Sequence, residues 1–291
     1  MPVIIDAASM QIETFYPIDS RLKSCIEYYY FFKSDSADFI SNYFAFPNTM
    51  QALNIHKNIS YKISGHTVKV KGIAENNFKM LLQGKFENPL YVQLSGKLDK
   101  ITIIFKPLGL NHFIKSPFNE IAAKPTQPFL EWEEHKNHSG FLGHFFSESH
   151  YIKRVEILEK YLLLHYHTFE NRNILDRSLI SLCDVDSELS IEEIAGRINL
   201  TTRTFNRMFK QHLGISPIGY KKISKFRHSL KNKLFNQQFE KLTAIGYNSN
   251  FYDQSYFIKV YKKLTNLPPG KFFKEIDILA EDNLILKFID N

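Results

Sequence analysis

The chain has few of the residues that build disulfide frameworks and zinc sites, with only 2 cysteines in 291 residues. Cys25 and Cys183 lie far apart and belong to no CxxC pair or cysteine–histidine cluster. Neither a disulfide framework nor a zinc site is therefore expected. We expect two reduced, half-buried thiols in a cytoplasmic protein.

Long apolar runs are also missing. No window approaches the roughly 18 uninterrupted apolar residues of a membrane-spanning helix. The first residues, MPVIIDAASMQIETF, lack the basic segment and apolar run of a secretory signal. These absences argue against a membrane or secreted protein and favour a cytoplasmic one, and the length leaves room for two domains with separate cores.

Acidic residues are scarce in one segment of the chain. The whole sequence has 37 Lys and Arg against 30 Asp and Glu, a net charge of +7. Between Arg197 and Lys274, 16 basic residues face only Glu240 and Asp253, which gives +14, while the remaining 21 basic and 28 acidic residues give −7. A surplus concentrated in about a quarter of the chain indicates a surface for a polyanion such as DNA.

The N-terminal half has the pattern of an all-β domain. Short runs rich in Tyr, Phe, Ile and Val are separated by polar turns, at a near-regular spacing typical of a jelly roll. The aromatic run Tyr28–Phe32 is typical of a strand buried on both faces, and the wall of a ligand pocket is the alternative. The predicted strands are Ile26–Lys33, Phe39–Phe46, Ala52–Ile55, Tyr61–Ile63, Thr67–Ile73, Lys79–Lys85, Leu90–Ser95 and Ile101–Lys106.

Histidines in this half raise the question of a metal enzyme. His56 and His66 lack the close His-x-His pair and following carboxylate that cupin-like metal centres use. His135 and His138 have an HKNH spacing, but their polar segment favours solvated histidines. No GxSxG elbow, phosphate-binding glycine loop or Cys–His nucleophile pair is evident. We therefore predict no catalysis, no metal and no cofactor.

Two segments connect the β half to the rest. Thr126–Ser139, which contains Trp132, is polar and predicts a crossing over the surface. The apolar spacing that begins at Ile152 predicts an amphipathic helix reaching about His167. This helix either packs as a linker or pairs with its copy in a dimer.

A helix-turn-helix pattern occupies Ser190–Pro217. Ser190 and Glu193 have the spacing of a capping box at the start of a short helix. Thr201 or Thr202 offers the cap of a second helix, and Gly214 ends it. That second helix turns basic residues outward, which suits a DNA major groove.

A related pattern follows after a long helix over Ile218–Phe235. The outer face of this helix is expected to carry the basic residues Lys221, Lys222, Lys225, Arg227, Lys231 and Lys233. Leu242, Ile245 and Gly246 predict a short helix, Tyr247–Tyr252 a turn, and Asp253–Leu264 a second basic helix. The segment IKVYKKLTNLPP repeats NRMFKQHLGISP with apolar, basic and proline positions in register. Such a repeat predicts two helix-turn-helix units joined by one helix.

The segment from about Ile174 to Ile276 resembles the DNA-binding domain of AraC/XylS-family transcription regulators. The resemblance rests on the runs LSIEEIA, TTRTFNRMFKQHLGISP, KFRH and FYDQSYFIKVYKKLTNLPPGKF. The second unit departs from the family pattern at Gly246, Asn250, Asn266 and Pro268, so we expect it to be the weaker one. The preceding part is similar to cupin-like sensor domains, with IIFKPLGLNHFI similar to their closing strand and turn.

The resemblance implies a two-domain architecture and a set of DNA-binding residues. It implies an all-β sensor or dimerisation domain over 1–146, a linker helix over 147–172, and a DNA-binding domain with a C-terminal tail over 173–291. The implied base-reading and nearby phosphate-binding residues are Thr202, Arg203, Asn206, Arg207 and Lys210 in the first unit and Gln254, Ser255, Ile258 and Lys259 in the second. Weaker phosphate contacts are expected from Lys221, Lys222, Lys225 and Lys231.

The implied function is sequence-specific transcription regulation under the control of the N-terminal domain. Double-stranded DNA is the expected partner, with a small-molecule effector, RNA polymerase and a second copy of the chain as further partners that the family allows. The alternative is a cupin-like metal-dependent enzyme domain fused to a DNA-binding unit.

Overall fold

The structure is a computed structural model that describes residues 11–184, 189–235, 253–279 and 284–289. Its N-terminal part is built from strands and its C-terminal part from helices, as the sequence predicts. The strands are β1 Gln11–Phe15, β2 Ile26–Ser34, β3 Ile40–Ala45, β4 Gln51–Lys57, β5 Ile59–Ser64, β6 Thr67–Gly72, β7 Phe78–Gln83, β8 Leu90–Ser95, β9 Leu98–Phe105, β10 Thr126–Pro128, β11 Asp277–Leu279 and β12 Leu284–Ile289.

The strands form two six-stranded sheets. One has the order β1-β2-β9-β4-β7-β10 and is antiparallel throughout. The other has the order β11-β12-β3-β8-β6-β5 and is antiparallel except for the parallel pair β6 and β8. The prediction of an N-terminal β domain is confirmed, although helices accompany its strands. All eight predicted strands are present, Leu90–Ser95 with its predicted bounds and the other seven with shifted ends.

Strand β2 is buried on both faces. Tyr28, Tyr30 and Phe32 belong to the core between the two sheets. Tyr29 and Phe31 point the other way, into a core shared with helices, because successive side chains of a strand point to opposite faces. The prediction of a two-faced strand is confirmed.

The helices are α1 Ser20–Lys23, α2 Phe118–Ile121, α3 His138–Ser147, α4 Tyr151–His165, α5 Arg172–Cys183, α6 Ile191–Arg197, α7 Thr202–Leu213, α8 Pro217–Phe235, α9 Gln254–Thr265 and α10 Pro269–Glu275, with a 3-10 turn over Gly109–His112. Helix α4 confirms the predicted amphipathic helix. Its residues Leu158 and Leu162 are fully buried in the core that backs the first sheet. Helix α4 therefore packs on the β domain.

Trp132 is buried, so the predicted surface crossing is wrong at this residue. Its side chain is 1% exposed, and its Nε1 donates to the carbonyl oxygen of Phe113 at 2.9 Å. The polar residues around Trp132 made the segment look exposed in the sequence. The indole N–H instead has its acceptor inside the protein, and the ring packs against Phe129 in the core.

The C-terminal tail returns to the β domain. Strand β12 pairs with β3, with Leu286 opposite Ala45 and Phe288 opposite Tyr43. No strand was predicted in this tail, because its partner lies more than two hundred residues earlier in the chain. The helical half is thus tied into the second sheet.

The two thiols differ in environment. Cys25 is fully buried and Cys183 is exposed, so the expectation of two half-buried thiols is wrong for both. Burial raises the pKa of the Cys25 thiol. In the described ranges no helix has the length and apolar character needed to cross a bilayer.

Candidate nucleic-acid interface

The first helix of the first unit begins as the sequence predicts. The Ser190 hydroxyl accepts a hydrogen bond from the Glu193 backbone N–H at 3.2 Å, and the Glu193 carboxylate accepts one from the Ser190 N–H at 2.8 Å. These bonds satisfy two of the donors that a helix start leaves unpaired. They also lower the pKa of Glu193.

Helix α7 has a defined start and end. The Thr201 side chain accepts from the Thr204 N–H at 3.2 Å, so Thr201 is the cap of the two candidates. Gly214 ends the helix with a φ of 72°, a left-handed conformation that glycine adopts at little cost. The boundaries of this candidate recognition helix therefore follow from local sequence.

One face of α7 is buried and the opposite face is exposed. Phe205, Met208 and Phe209 lie in the core of the helical domain. Arg203, Arg207 and Lys210 are exposed and Thr202 is half-buried. This arrangement follows from helical periodicity, and it leaves three cations free to approach a phosphate backbone or a groove.

Asn206 is less accessible than its neighbours. It is half-buried, and its amide nitrogen donates to the Thr202 carbonyl oxygen at 2.8 Å. An amide paired in this way must share or exchange that bond to contact an adenine edge.

The contacts of α7 with the β domain lie at its C-terminal end. The Asn111 amide nitrogen donates to the His212 carbonyl oxygen at 3.0 Å. The His212 ring also faces Phe169, with ring centres 5.4 Å apart. The end that carries Arg203 and Arg207 points away from this anchor, so docking of the β domain leaves it accessible.

The second unit is described from Asp253 onward. Asp253 caps α9 by accepting from the Tyr256 N–H at 2.7 Å, and the predicted second basic helix is confirmed. Asn266 ends the helix with a φ of 60°, so it stands where Gly214 stands in the first unit. The predicted helix with Leu242, Ile245 and Gly246, and the turn Tyr247–Tyr252 with Asn250, lie outside the described residues.

The candidate base-reading residues of α9 differ in exposure. Gln254, Ser255 and Lys259 are exposed. Ile258 is half-buried and packs against the core of the helical domain, so only part of its side chain could contact a thymine methyl group.

The basic residues of linker helix α8 do not share one environment. Lys231 is exposed, while Lys221 and Lys225 are half-buried. The Lys221 ammonium donates to the Leu189 carbonyl oxygen at 2.8 Å, which ties the linker to the start of the first unit.

Arg227 faces the β domain, so its predicted outward orientation is wrong. Its Nε donates to the Pro47 carbonyl oxygen at 2.7 Å, and a terminal nitrogen donates to that of Phe46 at 2.8 Å. Burial lowers the pKa of Arg227 to about 10. Arg227 therefore holds the linker helix against the β domain.

Glu87 of the β domain joins two elements of the helical domain. Its carboxylate lies 2.7 Å from the Lys222 Nζ on α8 and 2.8 Å from the Lys263 Nζ on α9. Burial by itself raises the pKa of Glu87, but the hydrogen bonds from the two lysines outweigh it and hold the pKa below its ordinary value. Two basic side chains of the helical half are thus engaged by an acidic one from the β domain.

The histidines are less solvated than predicted. His56 and His138 are both buried, and the Nδ1 of His138 lies 3.4 Å from the Tyr161 hydroxyl. Burial lowers the pKa of both rings, which favours neutral imidazoles. Within the part of the chain that the structure describes, no group of three or more His, Cys, Asp or Glu side chains is placed to hold a metal ion.

A cavity lies between the two sheets. It holds about 910 Å³ of space not filled by atoms, part of it open to solvent. Tyr28, Tyr30 and Phe32 line it, so the aromatic run is both a two-faced strand and a pocket wall. Arg227 and strand β12 complete the lining, and the cavity therefore borders both halves of the chain.

A family model described as a helix-turn-helix domain matches residues 194–275. The arabinose operon regulatory proteins of Salmonella typhimurium and Escherichia coli are each 31% identical to this chain over 87 residues. The match covers 30% of this chain and 30% and 29% of those proteins, so the chain spans less than a third of these relatives' length. Both relatives are regulatory proteins by name.

Solved structures of ToxT from Vibrio cholerae are also similar to this chain in the path of the backbone. Two of them give TM-scores of 0.44 and 0.42 at 14% and 15% identity. The superpositions cover 91% of this chain and 98% and 97% of those chains.

Proposed function

We propose that this chain, whose residues 194–275 match a helix-turn-helix domain model, is a transcription regulator of the AraC type that binds specific DNA sequences under the control of its β domain. The observation that carries the proposal is the exposed face of α7. Arg203, Arg207 and Lys210 lie together on a capped helix whose apolar residues are buried. A helix of this kind fits a major groove with its basic side chains toward the DNA.

The exposed side chains suggest separate roles. Arg203 and Arg207 suit guanine, because a guanidinium can donate two hydrogen bonds to its O6 and N7 atoms. Lys210 and Thr202 suit phosphate oxygens, which position the helix without reading sequence. Asn206 suits adenine once its amide is released from the Thr202 carbonyl.

The second unit would add affinity and extend the site. Gln254, Ser255 and Lys259 form the exposed start of α9, in the position that Arg203 and its neighbours have on α7. The net charge of +14 between Arg197 and Lys274 would draw the whole domain toward DNA through release of counterions. Binding should therefore weaken steeply with added salt.

The β domain would transmit a signal through its contacts with the helical domain. Arg227 and β12 border the cavity, while Glu87 engages Lys222 and Lys263. A small-molecule effector in the cavity would act on elements that also position the DNA-binding units. A second copy of the chain and RNA polymerase are further partners of a regulator of this kind.

The proposal is tested by selecting bound fragments from genomic DNA and then measuring mobility shifts on the selected sequence. Arg203→Ala and Arg207→Ala should each weaken specific binding by about 1–3 kcal/mol if they contact bases. The matched control is Arg177→Ala, an exposed arginine of α5 outside both units. An equal loss on selected and scrambled DNA would refute base reading by these two residues, and failure to select any sequence would refute the proposed function.

A further inference from the structure

His112 lies where the chain passes from the β domain to the helical domain. It is the last residue of the 3-10 turn, which belongs to the core behind the first sheet through Leu110. Its side chain is 1% exposed. Beside it runs the connector, residues 166–171, between α4 on the β domain and α5 in the core of the helical domain. His112 is therefore placed to fix how the two halves are joined.

Two hydrogen bonds tie His112 to the connector. Its Nδ1 lies 2.7 Å from the His167 carbonyl oxygen, and its own carbonyl oxygen accepts from the His167 N–H at 3.0 Å. Because a carbonyl oxygen can only accept, the Nδ1 carries a proton and donates. The neutral ring is therefore the tautomer without a proton on Nε2.

Aromatic rings of the connector enclose the His112 ring. Tyr166 stacks on it with ring centres 4.8 Å apart and planes 5° apart, and Phe169 meets it edge-on at 5.0 Å. Phe169 also faces the His212 ring of α7 at 5.4 Å. The connector thus contacts both His112 and the end of the first candidate recognition helix.

The residue before His112 holds the same end of α7. The Asn111 amide nitrogen donates to the His212 carbonyl oxygen at 3.0 Å. The last carbonyl oxygens of a helix have no partner within the helix, so the β domain supplies this one. Asn111, His112, the connector and His212 form one contact group, which we call the junction.

A proton added to the His112 ring would be poorly compensated. Among the described residues, the histidine that pairs with a carboxylate is His150. Burial lowers the pKa of His112 to about 4, although the hydrogen bond to the His167 carbonyl oxygen opposes this shift. The Arg172 guanidinium and the His167 ring add to the lowering, while Asp176, which pairs with Arg172, opposes it. Protonation therefore works against the buried position of the ring.

Further ionisable groups lie at the junction. The Tyr166 hydroxyl, whose ring stacks on His112, accepts from a terminal nitrogen of Arg172 at 3.4 Å. Burial lowers the pKa of the His212 ring, and the Glu170 carboxylate opposes that shift. Protonation of His212 would therefore act on the end of α7 in the same direction as protonation of His112.

We propose that neutral His112 is a positioning residue that holds the connector and the end of α7 against the β domain, and that protonation of its ring opens the junction. In the open junction the ring regains the ordinary histidine pKa of about 6.5. Acid should then favour opening by up to about tenfold for each pH unit below 6.5, and by up to about thirtyfold at pH 5. The inference rests on the proposed function only for its effect on DNA affinity, since opening can be measured without DNA.

Hydrogen exchange in the full-length protein measures this opening, because the protection of an amide reports its opening equilibrium. The reporter is the His167 N–H, which His112 accepts. After correction for the intrinsic exchange rate, its protection in the wild-type protein should fall by up to about thirtyfold from pH 7.5 to pH 5. His112→Asn places an amide nitrogen where Nδ1 lies and does not titrate, so its protection should stay constant.

The matched control is His165→Gln. It removes another histidine whose pKa is lowered by burial, at the last position of α4, and should keep the wild-type loss of protection. The amides of Leu158 and Leu162, in the buried part of α4, report opening of the whole domain and should lose less protection than His167.

Each comparison can overturn the inference. Protection of the His167 N–H that stays constant in the wild-type protein would do so, as would an equal fall in His112→Asn or a constant value in His165→Gln. An equal fall at Leu158 and Leu162 would show unfolding of the whole domain in place of junction opening. If His112→Asn fails to fold, His112→Gln takes its place, and the wild-type measurements stand without either variant.

DNA affinity gives the regulatory consequence. Because an open junction leaves the end of α7 without its partner from the β domain, affinity for the selected sequence should fall more steeply with acid in the wild-type protein than in His112→Asn. An equal fall in both would contradict the link from the junction to DNA. Failure to select any sequence, with pH-dependent protection of His167 intact, would contradict only the proposed function.

Discussion

The carboxylate of Glu87 and the ammonium group of Lys222 lie 2.7 Å apart across the boundary between the β domain and the linker helix. The same carboxylate contacts Lys263 on the second candidate recognition helix. A single carboxylate thus pairs with two basic side chains that could otherwise meet DNA phosphates. This relationship links the position of the β domain to the charge available for DNA binding.

Replacement of Glu87 by Gln should therefore strengthen DNA binding. Loss of the charge releases Lys222 and Lys263. Because partly exposed pairs contribute roughly 0.2–1 kcal/mol each, we expect affinity to rise by about two- to thirtyfold. The salt dependence of binding should become steeper, since more phosphates are neutralised. Mobility shifts over a series of salt concentrations measure both quantities.

A control for this prediction is Glu120→Gln, which removes the same charge from an exposed position on α2. If Glu120→Gln and Glu87→Gln raise affinity equally, the effect comes from net charge and the bridging role of Glu87 is refuted. If Glu87→Gln leaves the salt dependence unchanged, Lys222 and Lys263 do not reach phosphate.

Removal of the C-terminal tail should loosen the β domain while sparing the first DNA-binding unit. Deletion of residues 277–291 strips β12 from β3 and removes Leu286 from the cavity wall. An uncovered strand edge is prone to pair with other chains, so we expect a lower melting temperature and self-association. Thermal unfolding and light scattering measure these changes.

The point variant Leu286→Ala separates core packing from strand pairing. It should cost about 2–5 kcal/mol as a large-to-small change in a core and leave the chain monodisperse. A tail deletion that unfolds no earlier than the intact protein would show that β12 adds nothing to the stability of the sheet.

Local features of the sequence predicted the helix boundaries of the described helical half well. The cap at Ser190, the stop at Gly214 and the start of α9 at Asp253 each depend on residues within one helical turn. They could be recognised because the interactions that fix them are short-range.

Features that depend on distant contacts could not be predicted in this way. Arg227 has helical spacing with the exposed Lys231, but its side chain is turned toward the Pro47 carbonyl of the docked β domain. The short apolar run LILKFI of β12 is compatible with a strand, but nothing local identifies β3 as its partner. The cavity and the engagement of Lys222 by Glu87 likewise arise only when both halves of the chain are assembled.

His112 should make stability depend on pH. Its ring is 1% exposed, stacks on Tyr166, and places its Nδ1 2.7 Å from the His167 carbonyl oxygen. Burial lowers the pKa of His112 to about 4. The unfolded chain therefore binds a proton more readily than the folded one between pH 6.5 and about 4.

The contribution of neutral His112 to the free energy of unfolding is thus fully present above pH 6.5. It falls as the pH drops through this window, by at most about 3 kcal/mol. His112→Gln, which does not titrate, should flatten the dependence of unfolding free energy on pH in urea titrations. His144→Gln, at an exposed position of α3, should leave the dependence as it is. An equally steep dependence in His112→Gln would assign it to other groups.

Two glycines of the first unit should respond in opposite directions to replacement by alanine. Gly214 has a φ of 72°, and an added Cβ would lie 2.8 Å from the Cε1 of Phe118 on the β domain. Gly214→Ala therefore combines a left-handed backbone with a close contact, and should cost about 1–3 kcal/mol.

Gly196, inside α6, has no heavy atom within 4 Å of the added Cβ, so Gly196→Ala should stabilise the protein by about 0.5–1 kcal/mol through helix propensity and a less flexible unfolded chain. Urea unfolding of both variants gives the comparison.

Since Phe118 belongs to the β domain, Gly214→Ala should also displace the end of α7 from its contact with that domain, and a change in DNA affinity would report this displacement. A neutral Gly214→Ala would mean that α7 can end in another conformation and that its contact with Phe118 does not fix the position of the first unit.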